Sequence, residues 1–113
     1  MKKTIFTNAH IVDPTQKINK LGSLTVENEK IVNLSFNNIS IKQSKNNEII
    51  DCKKLILAPG FVDLKCHLRV PGDEHKENLS YASEAAASSG ITSLVCMPNT
   101  NPIIDNVSIV ELL

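Results

Sequence analysis

Apolar and polar positions alternate with a period of two through much of the first half of the chain. Thr4–Thr7 and His10–Val12 are short β-rich pieces around Asn8-Ala9. From Ser23 to Glu27, Leu24 and Val26 fall on one face, and from Lys30 to Phe36 so do Val32, Leu34 and Phe36. Asn28-Glu29 separates the two runs, so this stretch predicts a β-hairpin. Residues 37–47 are polar and predict a loop around a short Ile39–Ile41 strand. Glu48–Cys52 is another candidate strand, and residues 1–55 read as an all-β segment.

The pattern changes after Leu55. Ala58-Pro59-Gly60 is a break, and Phe61–Leu68 reads as a strand entering a polar loop, Arg69–Asn78. Leu79–Ser89 has Leu79, Ala82 and Ala86 at helical spacing, with Ser80 as a candidate cap and Gly90 suited to the left-handed position past the end. Thr92–Met97 carries the continuous run Leu94-Val95-Cys96-Met97 of a fully buried parallel strand. Pro98–Ile104 is a loop, after which Asp105 or Asn106 can cap a helix reaching Leu113. The order strand–helix–strand–helix over residues 56–113 predicts an α/β fold, the opening of a parallel sheet or barrel.

Length limits this reading. A (β/α)8 barrel takes roughly 250 residues, and 113 residues hold only two of its units after the β-segment. Two units leave a parallel strand edge unpaired and apolar side chains of Val107–Leu113 without a following partner. The expectation is an incomplete barrel, the first portion of something longer.

Composition excludes some functions. Lys plus Arg and Asp plus Glu are each 12, so the net charge of zero gives no basic excess for nucleic acid or acidic membranes. Aromatic residues are only 4%, too few for a base-stacking surface. The apolar run after Met1-Lys2-Lys3 stops at Ile5-Phe6, too short for a signal peptide, and no stretch approaches a membrane span. Cys52, Cys66 and Cys96 lack CxxC spacing and read as reduced, small core residues of a cytoplasmic protein.

The densest chemistry lies between Asp63 and Glu77. Strand alternation places Asp63, Lys65, His67 and Arg69 on one side and Leu64, Cys66 and Leu68 on the other. Four polar side chains on one face of a central strand are costly unless they pair, bind a metal or line a wet cleft. The polar face is therefore the candidate site and the apolar face the ordinary core. His10 is expected to be structural or exposed, and His75, Glu74, Lys76 and Glu77 to form a solvated loop surface.

The segment Pro59-Gly60-Phe61-Val62-Asp63-Leu64-Lys65-Cys66-His67-Leu68-Arg69-Val70-Pro71-Gly72-Asp73-Glu74-His75-Lys76-Glu77 resembles the start of the barrel in metal-dependent cyclic amidohydrolases, most closely dihydroorotases. Ala85-Ala86-Ala87-Ser88-Ser89-Gly90 and Met97-Pro98-Asn99-Thr100 continue the likeness. Asn8-Ala9-His10-Ile11-Val12-Asp13-Pro14 is similar to the first strand of the small β-sandwich domain attached to such barrels. The resemblance implies the reversible cyclisation of N-carbamoyl-aspartate to dihydroorotate in pyrimidine synthesis, with a zinc site. It makes His67 a metal ligand, Arg69 and Asn99 substrate-binding residues, and Asp63 a supporting one. An Arg fork suits a carboxylate, and Arg69 is the sole arginine beside eleven lysines. None of the family's catalytic residues falls within this chain.

One departure stands out. Lys65 occupies the position of the family's first metal-ligand His. A protonated Lys offers no lone pair and brings positive charge to the cation's place. It argues against ordinary zinc catalysis, although the ammonium can replace part of the metal's charge and keep Asp63 paired. Three readings stay open: a dihydroorotase acting on a small-molecule substrate, a non-catalytic scaffold of aspartate transcarbamoylase, and a sister amidohydrolase of hydantoin, dihydropyrimidine or allantoin. A homo-oligomer is compatible with all three.

Overall fold

The computed structural model describes residues 2–37 and 46–113. The chain divides into two compact units, Met1–Pro59 and Gly60–Leu113. The predicted Ile39–Ile41 strand lies outside the described residues.

The first unit is one sheet. Strand β1 (Lys3–Asp13) pairs antiparallel with β2 (Ile18–Glu27), and β2 with β3 (Lys30–Ser35). On its other edge β1 pairs in parallel with β4 (Asn47–Asp51) and with the two-residue β5 (Ile56–Leu57). The two expected N-terminal pieces are one strand, with an irregularity between Phe6 and Ala9 where Asn8 adopts φ 54. Asn tolerates this left-handed conformation, and its side chain donates to Asp51 Oδ1 at 2.9 Å, tying the bulge to the end of β4. Asn28 and Glu29 both have positive φ (50 and 62), the geometry of a two-residue hairpin turn. A second irregularity between Thr25 and Val26 pairs Leu24 with Leu34 but Val26 with Ile31, so strict alternation does not run through Val32.

Ala9, Ile11 and Cys52 form the buried cluster, with Phe6, Ile18, Leu34 and Leu57 packed on it. Burying an aliphatic side chain such as Ile11 stabilises by roughly 1.5–3 kcal/mol. Cys52 is thus a core residue, as its small apolar character predicts.

The second unit follows the order β6 (Phe61–Cys66), α1 (Leu79–Ser88), β7 (Ile91–Cys96) and α2 (Val107–Leu112). Strands β6 and β7 pair in parallel, which requires the crossover that α1 supplies. The half-buried positions of α1 are Leu79, Ala82 and Ala86, one helical stripe. Asn78, not Ser80, caps α1. It sits in extended backbone and accepts from the Tyr81 N–H at 2.9 Å, whereas Ser80 lies inside the first turn and bonds Glu84 at 3.4 Å. Gly90 has φ +78 just past the helix, and its carbonyl accepts from Phe61 N–H at 2.9 Å. Asn106 caps α2 through the Ile109 N–H at 3.2 Å.

Two expectations for this unit change. Strand β6 ends at Cys66 rather than Leu68, and its pairing is irregular between Asp63 and Cys66. The alternation from Asp63 to Arg69 is therefore not that of a regular strand. Nor is the apolar face a core: Leu64 is 74% exposed and Val95 50%. A two-stranded sheet has too few neighbours to cover both of its faces. Among the described residues no helix is long and apolar enough to cross a membrane.

Candidate functional site

Both strands of the second unit end on the same side, because they run parallel. The segments leaving them, which begin at His67 and at Met97, therefore emerge together. This is where ligands bind in parallel α/β architectures. Backbone hydrogen bonds stitch the two segments: Met97 N–H donates to the Cys66 carbonyl at 2.9 Å and Asn101 N–H to the Pro71 carbonyl at 3.1 Å. Pro71 is buried, and both Val70-Pro71 and Asn101-Pro102 are cis. Gly72 has φ +110, and a Cβ there would lie 2.3 Å from the Asn101 carbonyl oxygen, so only glycine fits.

A pocket of about 180 Å³ opens between the two segments, lined by His67, Leu68, Arg69, Gly72, Asp73, Asn99, Thr100 and Asn101. Three of the residues singled out in the sequence, His67, Arg69 and Asn99, line it together. His67 Nδ1 is 3.0 Å from Asn99 Oδ1. With that oxygen accepting, the Nδ1 proton is held and the Nε2 lone pair of a neutral ring is left available.

Asp63 and Lys65 do not line this pocket. Asp63 Oδ1 accepts from the backbone N–H of Lys65 at 3.0 Å, and the Lys65 ammonium forms no ion pair among the described residues. Asp63 is thus paired through the main chain of Lys65 and not through its charge, because local side-chain-to-backbone bonding over two residues is the shorter reach.

Charge on the pocket's loop is organised by short-range bonds. Asp73 lines the pocket and its carboxyl is held below the ordinary carboxylate value, chiefly by Lys76 Nζ at 3.0 Å, with His75 and Arg69 adding positive charge. Glu74 is likewise lowered, chiefly by the Gly72 N–H it accepts at 2.9 Å. Glu74 is exposed, as a solvated charge should be, but it also holds the Gly72 N–H. Its grip on Gly72 was signalled only by the Pro71-Gly72 turn. Thr100 and Asn101 were not singled out by role, and their hydrogen bonds come from the loop's own path. His75 is exposed, as expected, and Glu77 is half-buried.

Beyond the pocket, the Cys66 thiol lies 3.6 Å from Cys96 Sγ. Desolvation first, and then the Cys96 thiol, push the Cys66 thiol up to about 11. Cys96 is exposed and so is not the core residue its sequence context suggests. The first unit has a larger open concavity of about 880 Å³. It contains His10, which is exposed and lies 2.6 Å from Asn19 Oδ1. Size does not locate the chemistry here, since the smaller pocket gathers the imidazole, the guanidinium and the amide.

The donor set can be tested against a metal. His67 offers one imidazole nitrogen. Among the described residues no group of three or more His, Cys, Asp or Glu side chains is placed to hold an ion. The residues present do not by themselves make a metal centre.

The chain matches a dihydroorotase from Wolbachia sp. subsp. Drosophila simulans at 45% identity over 111 residues, covering 98% of this chain and 25% of the relative. It matches a dihydroorotase from Aquifex aeolicus at 43% identity over 111 residues, with the same 98% and 25% coverage. The chain thus spans about a quarter of the length of these curated relatives. Its fold resembles that of L-hydantoinase (dihydropyrimidinase) from Arthrobacter aurescens with a TM-score of 0.74 at 24% identity, covering 99% of this chain and 24% of that one. The dihydro-orotase-like family model matches residues 53–113, more than half of the chain, and the chain belongs to that family.

Proposed function

We propose that this chain supplies the substrate-anchoring part of a dihydroorotase, which interconverts N-carbamoyl-aspartate and dihydroorotate. The observation that carries the reading is the convergence of His67, Arg69 and Asn99 on one pocket beyond the ends of two parallel strands. Arg69 presents a planar fork to the substrate carboxylate, a bidentate geometry that a Lys ammonium cannot reproduce. Asn99 offers an amide donor to a carbonyl of the ring or the carbamoyl group while its oxygen fixes the His67 ring. Zinc is what the family resemblance implies, and of the residues in this pocket His67 alone would offer it an imidazole donor.

The test is binding. Dihydroorotate and N-carbamoyl-aspartate are titrated against isotope-labelled chain, and amide shifts are followed. Perturbations at Arg69, Asn99 and Gly72, weakened about tenfold in Arg69→Lys, are the expected result. Equal affinity in the variant overturns the assignment of Arg69, and hydantoin binding in preference to dihydroorotate favours a sister amidohydrolase.

A second reading rests on Lys65. A non-catalytic scaffold, assembled with aspartate transcarbamoylase, has no need of the metal-ligand His that Lys65 replaces. Metal analysis, a dihydroorotate assay and co-purification separate the two. Bound zinc with turnover excludes the scaffold, and a metal-free protein that co-purifies with the transcarbamoylase excludes the enzyme.

A further inference from the structure

Cys66 and Cys96 face each other as register partners across the parallel β6–β7 pair. The irregularity between Asp63 and Cys66 makes them so. Asp63 is opposite Leu94, and the next partners are Cys66 and Cys96, three positions along one strand against two along the other. Without that extra residue Lys65 would stand opposite Cys96. The bulge therefore brings two thiols together at the last residues of both strands.

The distances suit a covalent bond. Neighbouring strands lie about 4.7–4.9 Å apart, inside the roughly 4.4–6.8 Å range of Cα separations that disulfides span. The sulfurs, 3.6 Å apart, must approach by about 1.5 Å to reach the roughly 2.05 Å of an S–S bond. Cys96 is exposed and Cys66 intermediate, so an oxidant meets Cys96 first. Cys52 is buried in the other unit and has no sulfur partner among the described residues.

We propose that Cys66 and Cys96 form a dithiol modification site that a low-molecular-weight disulfide such as oxidised glutathione converts into an interstrand disulfide. Cys96, as thiolate, attacks one sulfur of the oxidant. Their S–S bond forms, the oxidant's S–S bond breaks, and one thiol leaves with the proton. Cys66 then attacks the Cys96 sulfur, expelling the second thiol with the second proton. The two protein thiols lose two electrons, and one oxidant molecule becomes two thiols. The bond would lock β6 to β7 immediately before His67 and Met97, where the two pocket segments begin.

The experiment treats the whole chain with excess oxidised glutathione, blocks remaining thiols with N-ethylmaleimide under denaturing conditions, and maps peptides by mass. The expected product links the peptides of Cys66 and Cys96 within one chain and leaves Cys52 alkylated. In Cys66→Ser the reaction should stop with one glutathione on Cys96. Alkylation of both Cys66 and Cys96 in the oxidised wild type overturns the proposal. So does a wild-type product that retains glutathione on Cys96 without a bridge, or a bridge through Cys52.

Discussion

His67 Nδ1 lies 3.0 Å from Asn99 Oδ1, a contact across 32 residues of sequence between the segments that leave β6 and β7. It fixes the imidazole's tautomer if the amide oxygen accepts. In the neutral ring the proton then resides on Nδ1 and the lone pair on Nε2. Long-range nitrogen–proton spectra should show this tautomer in the wild type and a mixture in Asn99→Ala. A predominant Nε2–H form in the wild type would refute the arrangement. The same variant should weaken dihydroorotate binding by about tenfold, the worth of one or two hydrogen bonds.

Gly72 carries a second prediction. Its φ of +110 and the 2.3 Å from its ideal Cβ position to the Asn101 carbonyl leave no room for a side chain. Gly72→Ala should destabilise the second unit by about 1–3 kcal/mol, from strain together with displacement of the Asn101 loop. Urea unfolding followed by hydrogen exchange on Phe61–Cys66 reads the loss. An unchanged midpoint with unchanged Asn101 protection would mean that the loops are not packed as described.

These contacts mark what sequence could and could not foretell. The hairpin of β2 and β3 was legible because alternation and the Asn28-Glu29 turn are local signals. So was the stripe Leu79, Ala82 and Ala86, and so was Gly90. The parallel pairing of β4 and β5 with β1 was not, because it joins segments roughly forty residues apart and leaves no periodic trace. Cap choice at Asn78 turned on its extended backbone and on the Tyr81 N–H that its side chain accepts. The gathering of His67, Arg69 and Asn99 was suggested by motif resemblance, but the bulge that ends regular alternation after Asp63 was hidden, since no residue type there demands it. The exposure of Leu64 and Val95 reflects missing neighbours, which composition cannot reveal.

Asn78→Ala should cost about 1 kcal/mol, because the Tyr81 N–H it accepts loses its partner at the start of α1. Asn78→Ser should restore most of it. Helical circular dichroism through a thermal ramp measures both. A lower melting point in the Ser variant than in the Ala variant would show that Asn78 acts by something other than capping.

Asp73 gives a pH prediction with a definite sign. Lys76 holds its folded-state carboxyl below the unfolded value, so the contact favours the folded loop above the unfolded value near 3.8 and is lost as pH falls through the lower folded one. Carboxyl-carbon shifts should titrate at lower pH in the native chain than in urea. Lys76→Met should bring the two curves together. Coincident curves in the wild type would remove the Lys76 contact from solution.

Lys65 offers the sharpest test of what the site has become. The family resemblance places a metal-ligand His there, two residues before His67. Replacing the ammonium by imidazole removes a charge that repels a cation and adds a donor near His67. Lys65→His should therefore raise zinc affinity by at least about tenfold, a change of roughly 1.4 kcal/mol, read by competition with a chromogenic chelator. His67→Ala in the same background should abolish the gain, which ties the metal to this pair and not to the thiols of Cys66 and Cys96. Zinc binding that stays as weak in Lys65→His as in the wild type would show that the two positions do not converge on one ion. The departure at Lys65 would then be one sign of a site already altered in its backbone, where Asp63 and Cys66 flank the irregular pairing of β6.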